Sequence, residues 1–171
     1  SLNFDKEHNP KTYQEAQKIK ELFDSSSKKA NAIVKFFQTQ SLTYSLKPGS
    51  LDMNNTTDSF LFDKHLGYCV HFASSFVTMA RMTGIPSRIV TGYKADKANS
   101  LKNYLAVKER DAHAWAELYL DEHWVRYETT STASGIDAQT QEEMDTQGSD
   151  KENNQRLKRV NLYLMYTKYQ V

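Results

Sequence analysis

The sequence of 171 residues contains a single cysteine, which excludes an intrachain disulfide and a tetrahedral zinc site built from several thiolates. It contains no apolar run of the length that spans a membrane. The net charge is only +1, so the sequence has neither the basic field of a nucleic-acid-binding protein nor an acidic balance suited to a cationic partner. With 39% hydrophobic and 25% charged residues, the composition is that of a globular protein. We therefore expect a folded core that uses no nucleic acid, metal or cofactor.

Helical patterns come first along the chain, and most strand patterns follow them. Apolar residues recur at helical spacing in 13–23 and around 30–37, and a third helical pattern runs from Cys69 to Gly84. The polar residues 47–59 are expected to form a surface loop. Segments dominated by β-branched or aromatic residues, or alternating with period two, are predicted strands: 42–46, 87–93, 104–107, 113–120 and 123–128. This order indicates an α+β fold.

The chain changes character after its last predicted strand. Residues 129–155 are rich in Ser, Thr, Asp, Glu and Gln and have few large apolar side chains, which favours a loop or a disordered linker. Apolar residues return in 157–169 and predict a terminal helix. We accordingly expect three parts, a core domain, a flexible polar linker and a C-terminal helix, at 1–132, 133–155 and 156–171.

Cys69 allows two interpretations. A free cysteine is most often a small buried hydrophobic residue. Cys69, however, follows the turn Gly67-Tyr68 and starts the third predicted helix. A helix N-terminus presents free N–H groups and a partial positive charge, which favour a nucleophilic thiolate and can stabilise a developing oxyanion. A thiol needed only for packing would more naturally lie in the middle of the helix, so we favour a catalytic nucleophile.

A cysteine nucleophile requires an imidazole base and usually a third group that orients the imidazole. His8 lies near the start of the chain and His65 in the loop before the helix. His71 is two positions after the cysteine, where helical side chains do not face one another. His113 and His123 remain, and both belong to the predicted hairpin.

The register of this hairpin separates the two histidines. A two-residue loop at 121–122 places Trp115 opposite Glu128. His113 shares a face with Trp115, so it is a diagonal neighbour of Glu128 and lies within reach of a long side chain. Glu128 could accept a hydrogen bond from Nδ1–H of His113 and fix its tautomer. His123 falls on the opposite face, so we predict His113 as the base.

The acid is less sharply defined than the base. A glutamate on a strand is commonly an exposed, solvated carboxylate, which is the simplest interpretation of Glu128. Asp111 is the other nearby acid, but it lies in the turn before the strand and could cap that turn or pair with Arg110. We favour Glu128 as the third member of the triad.

Two segments resemble motifs of the transglutaminase-like superfamily. GYCVHFASSFVTMARMTGIPSRIVTGY (67–93) is similar to its nucleophile motif, and RDAHAWAELYLDEHWVRYETT (110–130) to its histidine and acid motifs. The chain resembles in particular the periplasmic core domain of TgpA-type bacterial membrane proteins, strongly over about residues 60–132. One position departs from the pattern. The family usually carries aspartate and Pro-Thr where this chain has Glu128 and two threonines.

The resemblance implies a papain-like α+β fold, in which a helix bearing Cys69 packs on an antiparallel sheet bearing His113 and Glu128. It also implies a reaction in which Cys69 attacks a carboxamide, such as that of protein glutamine, and an amine or water resolves the thioester. The Cys69 N–H would be one oxyanion donor. Tyr44 would be a second, although it could also be an ordinary core aromatic residue. The implied partner is a protein or peptide, and the implied location is periplasmic, with membrane segments outside this chain.

Three other functions stay open at this point. The same triad could serve a cysteine peptidase or a deamidase. Glu128 and the long polar segment keep open a non-catalytic interaction module of a membrane assembly. A metal site at Cys69 and His71 is the weakest possibility, because further ligands at convincing spacing are not evident.

Overall fold

The computed structural model describes residues 1–5, 7–94, 100–101, 104–105 and 107–149. Within them, helices pack on an antiparallel sheet, which confirms the predicted α+β class. The helices are, in chain order, α1 (Pro10–Leu22), α2 (Ser26–Thr39), α3 (Thr56–Asp58), a π-helical segment (Ser59–Lys64), α4 (Cys69–Met82) and α5 (Ala138–Ser149). No helix in this part of the chain is both long and apolar enough to cross a membrane.

The strands form two small sheets and a separate hairpin. They are β1 (Thr43–Tyr44), β2 (Leu66–Gly67), β3 (Ser87–Tyr93), β4 (Ser100–Leu101), β5 (Tyr104–Leu105), β6 (Ala112–Leu120), β7 (His123–Tyr127) and β8 (Gly135–Ile136). The main sheet is antiparallel, with β6 between β3 and β7. In the second sheet, β1 lies between β2 and β8 and is parallel to both, whereas β4 and β5, within the described residues, form a two-stranded sheet of their own.

The hairpin of β6 and β7 has the predicted register. Leu120 pairs with His123, and the ladder continues to Ala116 and Tyr127. The two turn residues at 121–122 both lie in the left-handed region, with φ of 49° and 67°, as a two-residue type I′ hairpin turn requires. Alternate residues of β6 are buried, so one face of the hairpin packs into the core and the other is available for polar side chains.

Helix α4 is the centre of the core. It packs against β6 on one side and against α1 and α2 on the other. Most of the largest fully buried side chains come from α2, α4, β6 and the π-helical segment, and two come from connecting residues, Leu42 before β1 and Ile85 after α4. They are Phe37, Phe60, Phe72, Phe76, Ile33, Leu42, Leu61, Met79, Met82, Ile85, Leu118 and Val77. Each such side chain contributes roughly 1.5–3 kcal/mol when it leaves water. Because α4 is packed against these elements along its length, the position of its first turn is fixed as well.

The loop predicted at 47–59 is irregular only in its first part, because α3 begins within it. Its last polar residues are buried between helices. The Asp58 carboxylate accepts the N–H groups of Lys11 and Thr12, both at 2.8 Å, and so caps α1. Asn9 in turn accepts two N–H groups of α3, at 2.9 and 3.1 Å. These polar residues cap helices that are distant in sequence. A polar composition alone predicts a loop and does not show that such caps form.

The segment predicted as a flexible linker, 133–155, is regular over much of its length, so the expectation of irregular structure is wrong for β8 and α5. Strand β8 pairs with β1 through the main chain. Asp137 immediately precedes α5, and its carboxylate accepts the N–H of Thr140 at 3.1 Å, while the Thr140 hydroxyl accepts the N–H of Leu46 at 2.9 Å. Main-chain pairing and polar contacts hold this segment, so it needs no apolar periodicity. The C-terminal helix predicted at 156–171 lies outside the described residues.

Candidate active site

Cys69 is the first residue of α4, as predicted. It is 9% exposed and packs against Ala73 of the same helix and Ala114 of β6, the residue next to His113. At this position the first N–H groups of α4 have no partner within the helix. The structure therefore places the thiol at the positive end of a helix, beside the strand that carries the predicted base.

The turn before Cys69 is fixed by close packing. Gly67 has no room for a side chain, because a Cβ there would lie 2.6 Å from Phe60 Cε2 and 2.8 Å from the Cβ of His71. The N–H of Tyr68 donates to Nδ1 of His71 at 3.2 Å. Burial lowers the pKa of His71, which favours the neutral form that can accept this hydrogen bond. His71 therefore supports the turn that precedes Cys69, a role that its spacing from Cys69 does not suggest.

His113 and Glu128 are in direct contact. Nε2 of His113 lies 2.5 Å from Oε1 of Glu128, and the His113 side chain is only 10% exposed. The prediction of Glu128 as the partner agrees with this geometry, but the predicted atom, Nδ1, is wrong. Glu128 follows the last residue of β7 and approaches the far nitrogen of the ring. Nδ1 is thus left for a partner other than Glu128.

The Glu128 carboxylate has further partners that the sequence did not predict. Oε1 also accepts from the hydroxyl of Thr130 at 3.1 Å, and Oε2 accepts from the Arg126 guanidinium at 3.0 Å. Burial raises the pKa of the Glu128 carboxyl, but the hydrogen bonds from His113, Arg126 and Thr130 outweigh it and hold the pKa below its usual range. Glu128 is therefore an ionised acceptor for the imidazole.

The alternative acid and base have other roles in the structure. Asp111 accepts the N–H of Lys108 at 2.7 Å and caps a turn of 3₁₀-helix before β6. His123 lies at the exposed hairpin turn, with Nδ1 at 2.8 Å from the carbonyl oxygen of Asp121. His8 pairs with Asp5 at 3.3 Å near the chain start. The contact with Glu128 thus distinguishes His113 from these histidines.

Tyr44 lies beside Cys69 and packs with it. Burial, followed by the electrostatic effect of the neighbouring Cys69 side chain, raises the pKa of the Tyr44 phenol, whereas a hydrogen bond with the Cys69 backbone lowers it in part. The ring also stacks on Phe72, with centroids 6.4 Å apart. Tyr44 therefore belongs both to the core and to the surroundings of the thiol.

His113 and Tyr44 line a common cleft of about 580 Å³. The cleft is also lined by the segment after β7, including β8 and α5, where Ile136 and Met144 expose 47% and 40% of their surface. The remaining lining residues are Lys94, Asp111, Ala112, Thr130, Ser131, Ala133, Ser134 and Gly135. The segment predicted as a linker thus contributes a wall of the cleft.

The chain is similar to known proteins over this same region. A model of the Transglutaminase-like superfamily matches residues 13–129, more than half of the chain. Protein-glutamine gamma-glutamyltransferase of Pseudomonas aeruginosa is 32% identical over 123 residues, which cover 71% of this chain and 18% of that protein. The uncharacterised protein YebA of Bacillus subtilis is 30% identical over 142 residues, which cover 79% and 19%. The chain spans about a fifth of the length of these relatives.

The fold is similar to that of a solved bacterial domain. The periplasmic domain of TgpA from Pseudomonas aeruginosa is 30% identical, with a TM-score of 0.69 over 77% of this chain and 46% of that domain. The ethylmercury-bound form of the same domain gives a TM-score of 0.68 over 78% and 48%. These likenesses confirm the predicted transglutaminase-like fold. Sequence and structure agree that the chain belongs to the transglutaminase-like superfamily.

Proposed function

We propose that the chain catalyses thiol-dependent acyl transfer on a carboxamide, with Cys69, His113 and Glu128 as its triad. The observation that carries the proposal is the contact between His113 and Glu128 at the edge of a cleft that Tyr44 shares. Tyr44 in turn packs against the thiol at the start of α4. A base, an orienting acid and a thiol at a helix N-terminus are the components that cysteine acyl transfer requires.

The first half of the reaction forms a thioester. The Cys69 thiolate attacks the carboxamide carbon, forming a C–S bond and a tetrahedral oxyanion. The Cys69 N–H and the Tyr44 hydroxyl are the proposed donors to this oxygen. The C–N bond then breaks as the His113 imidazolium gives its proton to the departing nitrogen, which leaves as ammonia. Glu128 holds the ring through Nε2, which leaves Nδ1 to exchange the proton with the thiol and the leaving group.

The second half resolves the thioester. An amine or water attacks the thioester carbon while His113 accepts its proton, and the Cys69 thiolate leaves. An amine gives a new amide bond, whereas water gives a carboxylic acid. Hydrolysis by the same triad, as a deamidase or peptidase, is therefore the alternative outcome. Deamidation differs from transamidation only in which acceptor reaches the thioester within the cleft, whereas a peptidase would also take a backbone peptide bond as the acyl donor and release a peptide amine instead of ammonia.

The proposed acyl donor is a glutamine side chain of a protein or peptide. The name of the Pseudomonas aeruginosa relative, a protein-glutamine gamma-glutamyltransferase, supports this choice. The proposed location is periplasmic, because the similar solved structure is a periplasmic domain. Both points are proposals for this chain, since it spans only part of the length of these relatives.

Mass spectrometry of a glutamine-bearing peptide tests the proposal. The peptide is incubated with the protein in the presence and in the absence of a primary amine, and the Cys69→Ala variant serves as the control. Transamidation adds the amine and releases ammonia, deamidation converts the amide to an acid, and peptide cleavage yields fragments. An unchanged peptide under all conditions, with a range of glutamine sequences, would contradict the proposed activity.

A further inference from the structure

The carboxylate of Glu128 is not fixed by the sheet. Glu128 follows the last paired residue of β7, and the chain turns there into a 3₁₀-helix at Thr129–Thr132. Its side chain also has one more rotatable bond than the aspartate that is usual at this position in the family. Main-chain pairing therefore leaves the carboxylate free to move, and contacts with other side chains must hold it.

Arg126 supplies one of these contacts. Its guanidinium donates to Oε2 of Glu128 at 3.0 Å, while Oε1 faces Nε2 of His113 and the hydroxyl of Thr130. Both carboxylate oxygens are thus held by donors. Hydrogen bonds to both oxygens fix the orientation of the carboxylate plane and its distance to the imidazole, whereas a single hydrogen bond leaves the group free to rotate.

Arg126 is itself held in place although half of its side chain is exposed. Its guanidinium lies over the ring of Trp115, 4.0 Å from the centroid. The Trp115 ring stacks beside His113, with centroids 6.4 Å apart and planes 24° from parallel. A Cβ on Gly92 would lie 2.9 Å from Cη2 of Trp115, so glycine on β3 makes room for the indole.

Four side chains on one face of the β6–β7 hairpin thus form a closed ring of contacts: His113, Glu128, Arg126 and Trp115. We infer that Arg126, seated on Trp115, is a positioning residue that holds Glu128 in its orienting role. The inference rests on the proposed function, because it concerns the same triad. The hydrogen bond from Arg126 is one of those that lower the pKa of Glu128, so its loss would let the carboxylate protonate at higher pH.

The sheet contains a matched control for this arrangement. Arg88 lies over the ring of Trp124, 4.0 Å from the centroid, and pairs with Glu117 at 2.7 Å. This second arginine, tryptophan and glutamate group lies on the same sheet but makes no contact with Glu128 among its described interactions. Glu117 also accepts from Nε1 of Trp115 at 3.3 Å, so the two groups meet at that indole. Arg88→Gln nevertheless leaves the hydrogen bond between Arg126 and Glu128 in place, and it therefore separates the loss of that bond from the loss of an arginine on the same sheet.

Arg126→Gln, Arg126→Lys and Arg88→Gln are compared with the unmodified chain in two assays. The first is the rate of Cys69 alkylation by iodoacetamide as a function of pH, which needs no substrate. The second is kcat and KM for peptide transamidation or deamidation. We expect Arg126→Gln to lower kcat and the alkylation rate at about pH 6 by about tenfold, with KM within about twofold. Arg126→Lys, which keeps the charge, should recover part of the loss. Arg88→Gln should lower the melting temperature but leave both pH profiles unchanged.

The two assays separate the inference from the proposed function. If Arg126→Gln matched the unmodified chain in both, or if Arg88→Gln lowered both equally, Arg126 would have no special role and the inference would be wrong. If the unmodified chain had an activated Cys69 but turned over no peptide, the proposed reaction would fail, and the alkylation profiles would still decide the role of Arg126. A Cys69 that reacted only like a free thiol in the unmodified chain would overturn both.

Discussion

Nε2 of His113 lies 2.5 Å from Oε1 of Glu128. Glu128 is the residue after Tyr127, which forms the last pair of the hairpin ladder with Ala116. The hairpin brings the two residues near each other, and the chain then bends so that the carboxylate meets the outer nitrogen of the ring. The proposed role of Glu128 in this contact is to orient the imidazole and stabilise its charged form.

Replacing Glu128 should therefore affect turnover more than folding. Glu128→Ala and Glu128→Gln should each lower kcat by roughly two orders of magnitude or more, because an orienting group acts mainly on the transition state. Glu128→Asp should keep substantial activity if the turn after β7 can absorb the lost methylene. Asp111→Ala is the control for the rival acid. If Glu128→Ala turned over normally and Asp111→Ala were inactive, Asp111 and not Glu128 would be the acid of the triad.

The lowered pKa of Glu128 also predicts a pH-dependent contribution to stability. A carboxyl group whose pKa is lower in the folded than in the unfolded state stabilises the fold above its ordinary pKa, and this contribution is lost as the pH falls through the lowered value. Thermal unfolding followed at a series of acidic pH values should show a steeper loss of stability for the unmodified chain than for Glu128→Gln. Parallel curves for the two proteins would contradict the assigned hydrogen bonds.

Gly67 should be required for the shape of the turn before Cys69. A methyl group there would meet Phe60 and His71 well inside normal contact distance, so Gly67→Ala should destabilise the fold by about 1–3 kcal/mol. Denaturant unfolding measures this change. Gly135→Ala is the control, because nothing lies within 4 Å of the added atom, and it should change stability by less than about 0.5 kcal/mol. If the two substitutions lowered the free energy of unfolding equally, close packing around Gly67 would not explain the destabilisation.

The cleft wall formed by β8 and α5 should contribute to substrate binding. Ile136 and Met144 expose apolar surface on this wall and line the same cleft as His113. Ile136→Asp and Met144→Asp should each raise KM several-fold with a smaller change in kcat, because they act on binding and not on the triad. Met53→Asp, at a position 86% exposed in the loop before α3, is the matched control. Unchanged KM in both wall variants would mean that the substrate does not contact this segment.

Much of the fold could be predicted because local patterns and tertiary contacts agree. The sequence pattern places β3 at the observed residues, and a two-residue loop at 121–122 between two alternating segments is enough to give the hairpin register. The segment from β8 to α5 could not be predicted in this way. It is held by pairing with β1 and by the hydrogen bonds of Asp137 and Thr140, and such contacts leave no apolar periodicity in the sequence.

The candidate site could be predicted in its members but not in its geometry. Strand alternation is enough to associate His113 with Glu128, whereas the choice of Nε2 depends on how the chain leaves β7. Arg126 is an ordinary exposed arginine in the sequence, and its role follows only from its contacts with Glu128 and Trp115. A polar residue two positions from a candidate acid on the same strand face is the signal that could have identified it.

The most direct test of the account is to trap the covalent intermediate on Cys69. The protein is mixed with a glutamine-bearing peptide, quenched in acid and digested, and its peptides are analysed by mass spectrometry. The account predicts an adduct on Cys69 equal to the peptide minus ammonia, absent from Cys69→Ala, whose melting temperature should stay within about 5 °C of the unmodified chain because the change is small. Product formation by a folded Cys69→Ala variant, or an adduct on any other residue, would contradict the central claim that Cys69 is the nucleophile.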